Sequence, residues 1–130
     1  MGITHNLFQS YCYGPADLIG VRKGSSTMQL KLRDSAGVLS EAVYSGCVYW
    51  RLGEEETGIH LSLVQHVSAE ELLRHPDSET MHALLRNADN VPGLLHEWEH
   101  SGLSFYLHLG ATPENEYLVV AKSLHLREIS

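Results

Sequence analysis

Between Met28 and Arg33 apolar and polar residues alternate, Met28, Leu30 and Leu32 against Gln29, Lys31 and Arg33. That period of two predicts a strand with one face in a core and the other in water. Asp17 to Lys23, with Ile19 and Val21 on one side, predicts a short strand before it, set off by Gly14-Pro15 and Gly24-Ser25. Val38 to Trp50, rich in Val, Tyr and Trp, reads as a longer strand and as the central one, with Gly46 marking a bulge or a close backbone approach. Ile59 to Val67 resumes the alternation, Leu61, Leu63 and Val67 on one face and His60, Ser62 and His66 on the other. The short links between these four strands predict an antiparallel meander.

The pattern then changes. Ser68-Ala69-Glu70-Glu71 is a capping box that opens a helix of about two turns, which Pro76 stops. Asp77 or Ser78 caps a second helix, in which Met81, Leu84, Leu85 and Ala88 recur at helical spacing. Tyr117 to Leu126 predicts a last strand. The fold class expected is α+β, one domain over residues 1–130, with a mainly antiparallel sheet of about six or seven strands and two short helices inserted after the fourth strand.

One stretch, Leu94 to Leu109, fits two periods. As a helix opened by Pro92 and ended by Gly102, it sets His96, Glu97 and His100 at the H-E-x-x-H spacing of zinc hydrolases, two imidazoles for the metal and Glu97 as general base. As a hairpin turning at Ser101-Gly102, it sets Trp98 opposite Phe105, His96 opposite Leu107 and Leu94 opposite Leu109 on one mostly apolar face. Glu97 and Tyr106, with Glu99 and Ser104, then face solvent. The hairpin is the preferred reading, because the helix would be short, Gly93 would sit in its first turn, and the metzincin third ligand is replaced by Tyr106. No metal or other cofactor is therefore expected, and the zinc hydrolase stays as the alternative.

Composition narrows the function. Sixteen acidic against nine basic side chains leave a formal charge of −7 on 130 residues, which argues against a nucleic-acid surface and suits a basic protein partner. The start of the chain lacks a signal-peptide pattern and no apolar run reaches membrane-spanning length, so a cytoplasmic protein without a membrane partner is expected. Cys12 and Cys47 form no metal-binding or redox motif and are expected as reduced, buried thiols. No phosphate-binding loop, dinucleotide fingerprint or nucleophile elbow is present. His60 and His66, about 20 Å apart on an extended strand, cannot share a metal ion. The strongest local charge is Glu54, Glu55 and Glu56, an anchor for a basic partner, and Tyr49 and Arg51 beside it are candidate contact residues.

Tyr13-Gly14-Pro15-Ala16-Asp17-Leu18-Ile19-Gly20-Val21, the strand Met28 to Arg33, the run Tyr44-Ser45-Gly46-Cys47-Val48-Tyr49-Trp50 and the late strands Gly102 to Leu109 and Tyr117 to Leu126 together resemble small bacterial immunity proteins of polymorphic toxin systems. Where those proteins often have Tyr-His-Asp-Ala near the start, this chain has Gly14-Pro15-Ala16-Asp17, and no site carries over residue by residue. The resemblance implies a non-enzymatic domain that neutralises a cognate toxin by stoichiometric binding. A structural subunit of an assembly, self-associating through its acidic and aromatic surface, is a third reading.

Overall fold

The computed structural model describes residues 11–52, 56–112 and 115–129. Its strands are β1 (Tyr11–Tyr13), β2 (Ala16–Lys23), β3 (Thr27–Arg33), β4 (Leu39–Ser45), β5 (Tyr49–Trp50), β6 (His60–Leu61), β7 (Leu63–Val67), β8 (Ser104–Leu109), β9 (Glu116–Ala121) and β10 (Ser123–Ile129). Three helices, α1 (Ala69–Leu73), α2 (Glu79–Leu85) and α3 (Val91–His100), lie between β7 and β8. The α+β class and the antiparallel pairing agree with expectation. The count does not, since among the described residues ten strands form two five-stranded sheets and three helices stand where two were expected.

The extra strands come from bending. One sheet runs β1-β7-β8-β9-β5 and the other β10-β4-β3-β2-β6. The chain passes from one sheet to the other five times, by a direct bend from β1 into β2, β4 into β5, β6 into β7 and β9 into β10, and by the longer connection from β5 to β6. β2 pairs with β6 as β1 pairs with β7, and β4 pairs with β10 as β5 pairs with β9, so the antiparallel ladder closes on itself. Closure is local to the bends, because β10 at the end of its sheet pairs with β4 alone among the described residues, and its other edge carries no ladder. The expected strand Val38 to Trp50 breaks at Gly46, where φ is +63°, a conformation L side chains rarely adopt. Cys47 N–H donates to the Ser26 carbonyl at 2.8 Å and Lys122 N–H to the Ser45 carbonyl at 2.9 Å, which holds the bend. This stretch is not central, because β5 lies at the end of its sheet and β3 holds the middle of the other.

Two cores result. Leu18, Met28, Leu30, Leu32, Ala42 and Tyr44 of one sheet meet Val64, Tyr106, Val119 and Ala121 of the other. On the far side, Val67, Phe105, Leu107, Leu118 and Val120 meet Leu72, Met81, Leu84, Val91 and Leu95 of the helices. β8 and β9 are covered on both faces, so the solvent face expected for Tyr106 does not exist. A break at Ser62 also shifts the expected alternation of the fourth strand. Leu61 and Val64 face the inter-sheet core, while Val67 faces the helices.

The hairpin expected over Leu94 to Leu109 is overturned, because Val91–His100 is helical. Val91, Leu95 and Trp98 recur at helical spacing on the side facing the sheet, the first two fully buried. The Asn90 side chain accepts from Gly93 N–H at 3.1 Å, capping the helix. Gly102, at φ +86°, ends it with Leu103 N–H donating back to the Trp98 carbonyl at 3.1 Å. The chain still reverses at 101–102, which brings the Trp98 and Phe105 rings to 6.5 Å.

Ser68 and Ser78 cap the first two helices by accepting from Glu71 N–H at 3.1 Å and Met81 N–H at 3.2 Å. No helix among the described residues is long and apolar enough to cross a membrane.

Candidate functional site

Helix α3 carries the chemistry that the sequence singled out. His96 and His100 lie one turn apart on its solvent side, with Glu97 beside them, and all three are exposed. Gly93, one turn earlier on the same face, has no side chain, and Gly93, His96, Glu97, Glu99 and His100 line a shallow, open depression. The helix beneath is held from three sides. Leu95 is buried, Trp98 packs against Tyr49 with ring centroids 5.8 Å apart, and Glu99 Oε2 accepts from Ala69 N–H at 3.0 Å, so that α3 caps α1. The H-E-x-x-H spacing is therefore presented on a helix, as a metal site of that kind requires. Among the described residues no group of three or more His, Cys, Asp or Glu side chains gathers where it could hold a metal.

Of the residues expected to meet a partner, Glu54 and Glu55 lie outside the described residues. Glu56 is partly buried in a short turn that leads into β6. Tyr49 is half-buried against Trp98, and burial pushes its phenol pKa up. Arg51 reaches Glu79 at the start of α2, at 3.5 Å, while its Nη1 is buried without a hydrogen-bond partner among the described residues. Tyr49 and Arg51 thus join the end of β5 to the helical layer. His60 pairs with Asp17 at 2.8 Å on the outer face of one sheet, and His66 stacks on Tyr106 with centroids 5.7 Å apart in the other. Cys12 and Cys47 are not joined in a disulfide, and Cys47 is buried and Cys12 partly so. Burial pushes the Cys12 thiol up to about 11, which keeps it protonated and unreactive.

Nothing in the sequence marked the most elaborate polar group. His108, on β8, is fully buried between the sheets, and its Nδ1 lies 3.1 Å from the Tyr106 carbonyl and 3.0 Å from the Tyr117 carbonyl. Carbonyls only accept, so Nδ1 carries the proton and Nε2 offers its lone pair. The Tyr44 hydroxyl, 2.6 Å away, then donates to Nε2 and accepts from the Tyr13 hydroxyl at 2.7 Å. Burial holds His108 neutral by lowering its pKa to about 4, and the same burial pushes both tyrosines up. The chain Tyr13–Tyr44–His108 joins β1 and β8 of one sheet to β4 of the other. It is sealed from solvent and serves as a polar tie. A tyrosine and a histidine on the alternating face of β8 are the available signal, hidden because the hairpin pattern places that face in water.

The charge of the molecule is unevenly placed. Residues 68–101, which hold α1, α2 and α3, contain seven acidic side chains and two arginines, a net −5 of the chain's −7. Six of those acids are exposed. The outer face of the β10-β4-β3-β2-β6 sheet is the opposite, with Arg22, Lys31, Arg33 and Arg127 against Asp17 and Glu41. Compared with family models, curated proteins and solved structures, the chain matches none.

Proposed function

We propose that this protein is a stoichiometric binding module for a basic protein partner, in the manner of an immunity protein that neutralises a toxin. The observation that carries the reading is the concentration of negative charge on the helical layer. Exposed Glu70, Asp77, Glu79, Asp89, Glu97 and Glu99 cover one side of the molecule on a frame tied to the barrel by Arg51 and Trp98. A one-sided field of this kind speeds encounter with an oppositely charged surface and fixes its orientation. Glu54, Glu55 and Glu56 follow closely on Arg51 in the chain and would extend the acidic contact. Tyr49 and Arg51 would support it from beneath. Toxin domains that act on nucleic acids are commonly basic, which makes them partners of the right charge.

The test is co-expression with the basic protein encoded beside it, followed by size-exclusion chromatography and a growth assay. A complex of fixed stoichiometry should form and growth should be rescued. Changing Asp77, Asp89 and Glu97 together to Lys should weaken both. A complex that withstands this reversal and high salt alike would remove charge as the basis of binding.

A second reading, the small zinc-dependent hydrolase, is favoured by one observation, the helical spacing of His96, Glu97 and His100. It requires a third protein ligand from outside the described residues, and hydrolysis lost on Glu97→Gln with zinc retained is its test.

A further inference from the structure

The geometry points to a surface site for a divalent transition-metal ion, with the imidazoles of His96 and His100 as its two protein ligands. It shares those imidazoles with the hydrolase reading but needs neither a third ligand nor a reaction. Metal binding without hydrolysis leaves it standing.

Four residues along an α-helix advance about 6 Å and turn the chain through slightly more than one revolution. Two histidines at that spacing can therefore direct ring nitrogens at one point. Among the described residues neither imidazole is engaged in a hydrogen bond or ion pair, and both are exposed, so binding displaces only water. Gly93 lines the approach, with the Asn90 side chain packed over it, and the depression over the helix is wide enough for the solvent molecules that would complete the coordination sphere. The ligands stand on a rigid element. Asn90 caps α3, Val91 and Leu95 anchor it in the core, and Trp98 lies against Tyr49 and Phe105. The backbone that carries the ligands is ordered before the metal arrives, and the two exposed rings are ordered by binding it.

The donor set selects the ion. Neutral imidazole suits Cu²⁺, Ni²⁺ and Zn²⁺, and their affinities follow the usual order with Cu²⁺ tightest. Ca²⁺ and Mg²⁺ demand oxygen ligands and gain little here. The surrounding acidic layer raises the local concentration of any cation. With two protein ligands, the bound ion keeps positions open for water or for a donor on another molecule.

Trp98 lies two residues from each histidine and reports on the site. The protein, purified without a metal-affinity tag and carrying Trp50→Phe so that Trp98 is the only tryptophan, is titrated with CuCl₂ and with ZnCl₂. Cu²⁺ should quench Trp98 emission to saturation at one ion per chain, and a large excess of Zn²⁺ should reduce that quenching by competition. His96→Ala and His100→Ala should each weaken Cu²⁺ binding by more than about tenfold, with circular dichroism unchanged because both side chains are exposed. His82→Ala, on α2, should leave the titration as it was. The site does not exist if quenching fails to saturate, or if either α3 variant binds as well as the parent.

Discussion

The hydroxyl of Tyr44 lies 2.6 Å from Nε2 of His108, across the space between the two sheets. Neither group has a way out to water, so Nε2 depends on the Tyr44 hydroxyl for its hydrogen bond, while that hydroxyl has Tyr13 as its second partner. Removing Tyr44 leaves Nε2 desolvated and unpaired, and removing His108 takes away one of the two buried partners of the Tyr44 hydroxyl. Tyr44→Phe and His108→Leu should each lower stability by about 1–3 kcal/mol in urea denaturation. The double variant should cost clearly less than the two single losses together, because the second change removes a group already orphaned. Strict additivity would mean that the pair is not coupled.

His108 also sets a pH dependence. Its pKa in the folded protein is held down at about 4, against an ordinary value of 6.5. Between those values the unfolded chain takes up a proton that the native protein refuses, so stability rises with pH through this window. The contribution is fully present above pH 6.5 and is lost as pH falls towards 4, by roughly 3 kcal/mol in all. His108→Gln removes the titration. Between pH 7.5 and pH 4.5, the urea midpoint should therefore fall further for the parent protein than for the variant.

Gln65 is fully buried on β7, and neither atom of its amide finds a partner among the described residues. It lies on the face turned towards the helices, with Val67. Leucine fills a similar volume without a polar group to desolvate. Gln65→Leu should raise stability by about 1 kcal/mol, and a loss instead would reveal a hydrogen bond this side chain makes after all.

Glu99 accepts the Ala69 N–H at 3.0 Å, a charge-assisted bond at the start of a five-residue helix that has little stability of its own. Glu99→Ala should cost about 1 kcal/mol. Amide exchange in Ala69–Leu73 should quicken more than exchange in β8 or β9, whose bonds lie in the covered sheet.

The alternation of Met28 to Arg33, the serine caps at 68 and 78 and the apolar stripe of the second helix were legible because each depends on neighbours a few residues away. Leu94 to His100 was not. Leu94, His96 and Trp98 satisfy a period of two while Val91, Leu95 and Trp98 satisfy a helix, and nothing local separates them. The face of β7, β8 and β9 that Phe105, Leu107, Leu118 and Val120 present needed a cover. A helix with Val91 and Leu95 on one side supplies it. Gly46 was legible as an irregularity, but that it bends the chain from one sheet into the other could not be read from one strand.

The sequence by itself determined the α+β class, the antiparallel sense of the strands, the starts of the first two helices and a spacing of His96 and His100 that a helix would place on one face. These follow from propensity, capping and periodicity, which act over a turn or a pleat. Only the tertiary structure decided that four stretches bend between two sheets, that Tyr106 and His108 face a core, that Tyr44 meets His108 and that the acidic side chains gather on the helical layer. Those relationships join residues far apart in the chain, and they exist because buried polar groups must find partners and each apolar face must be covered.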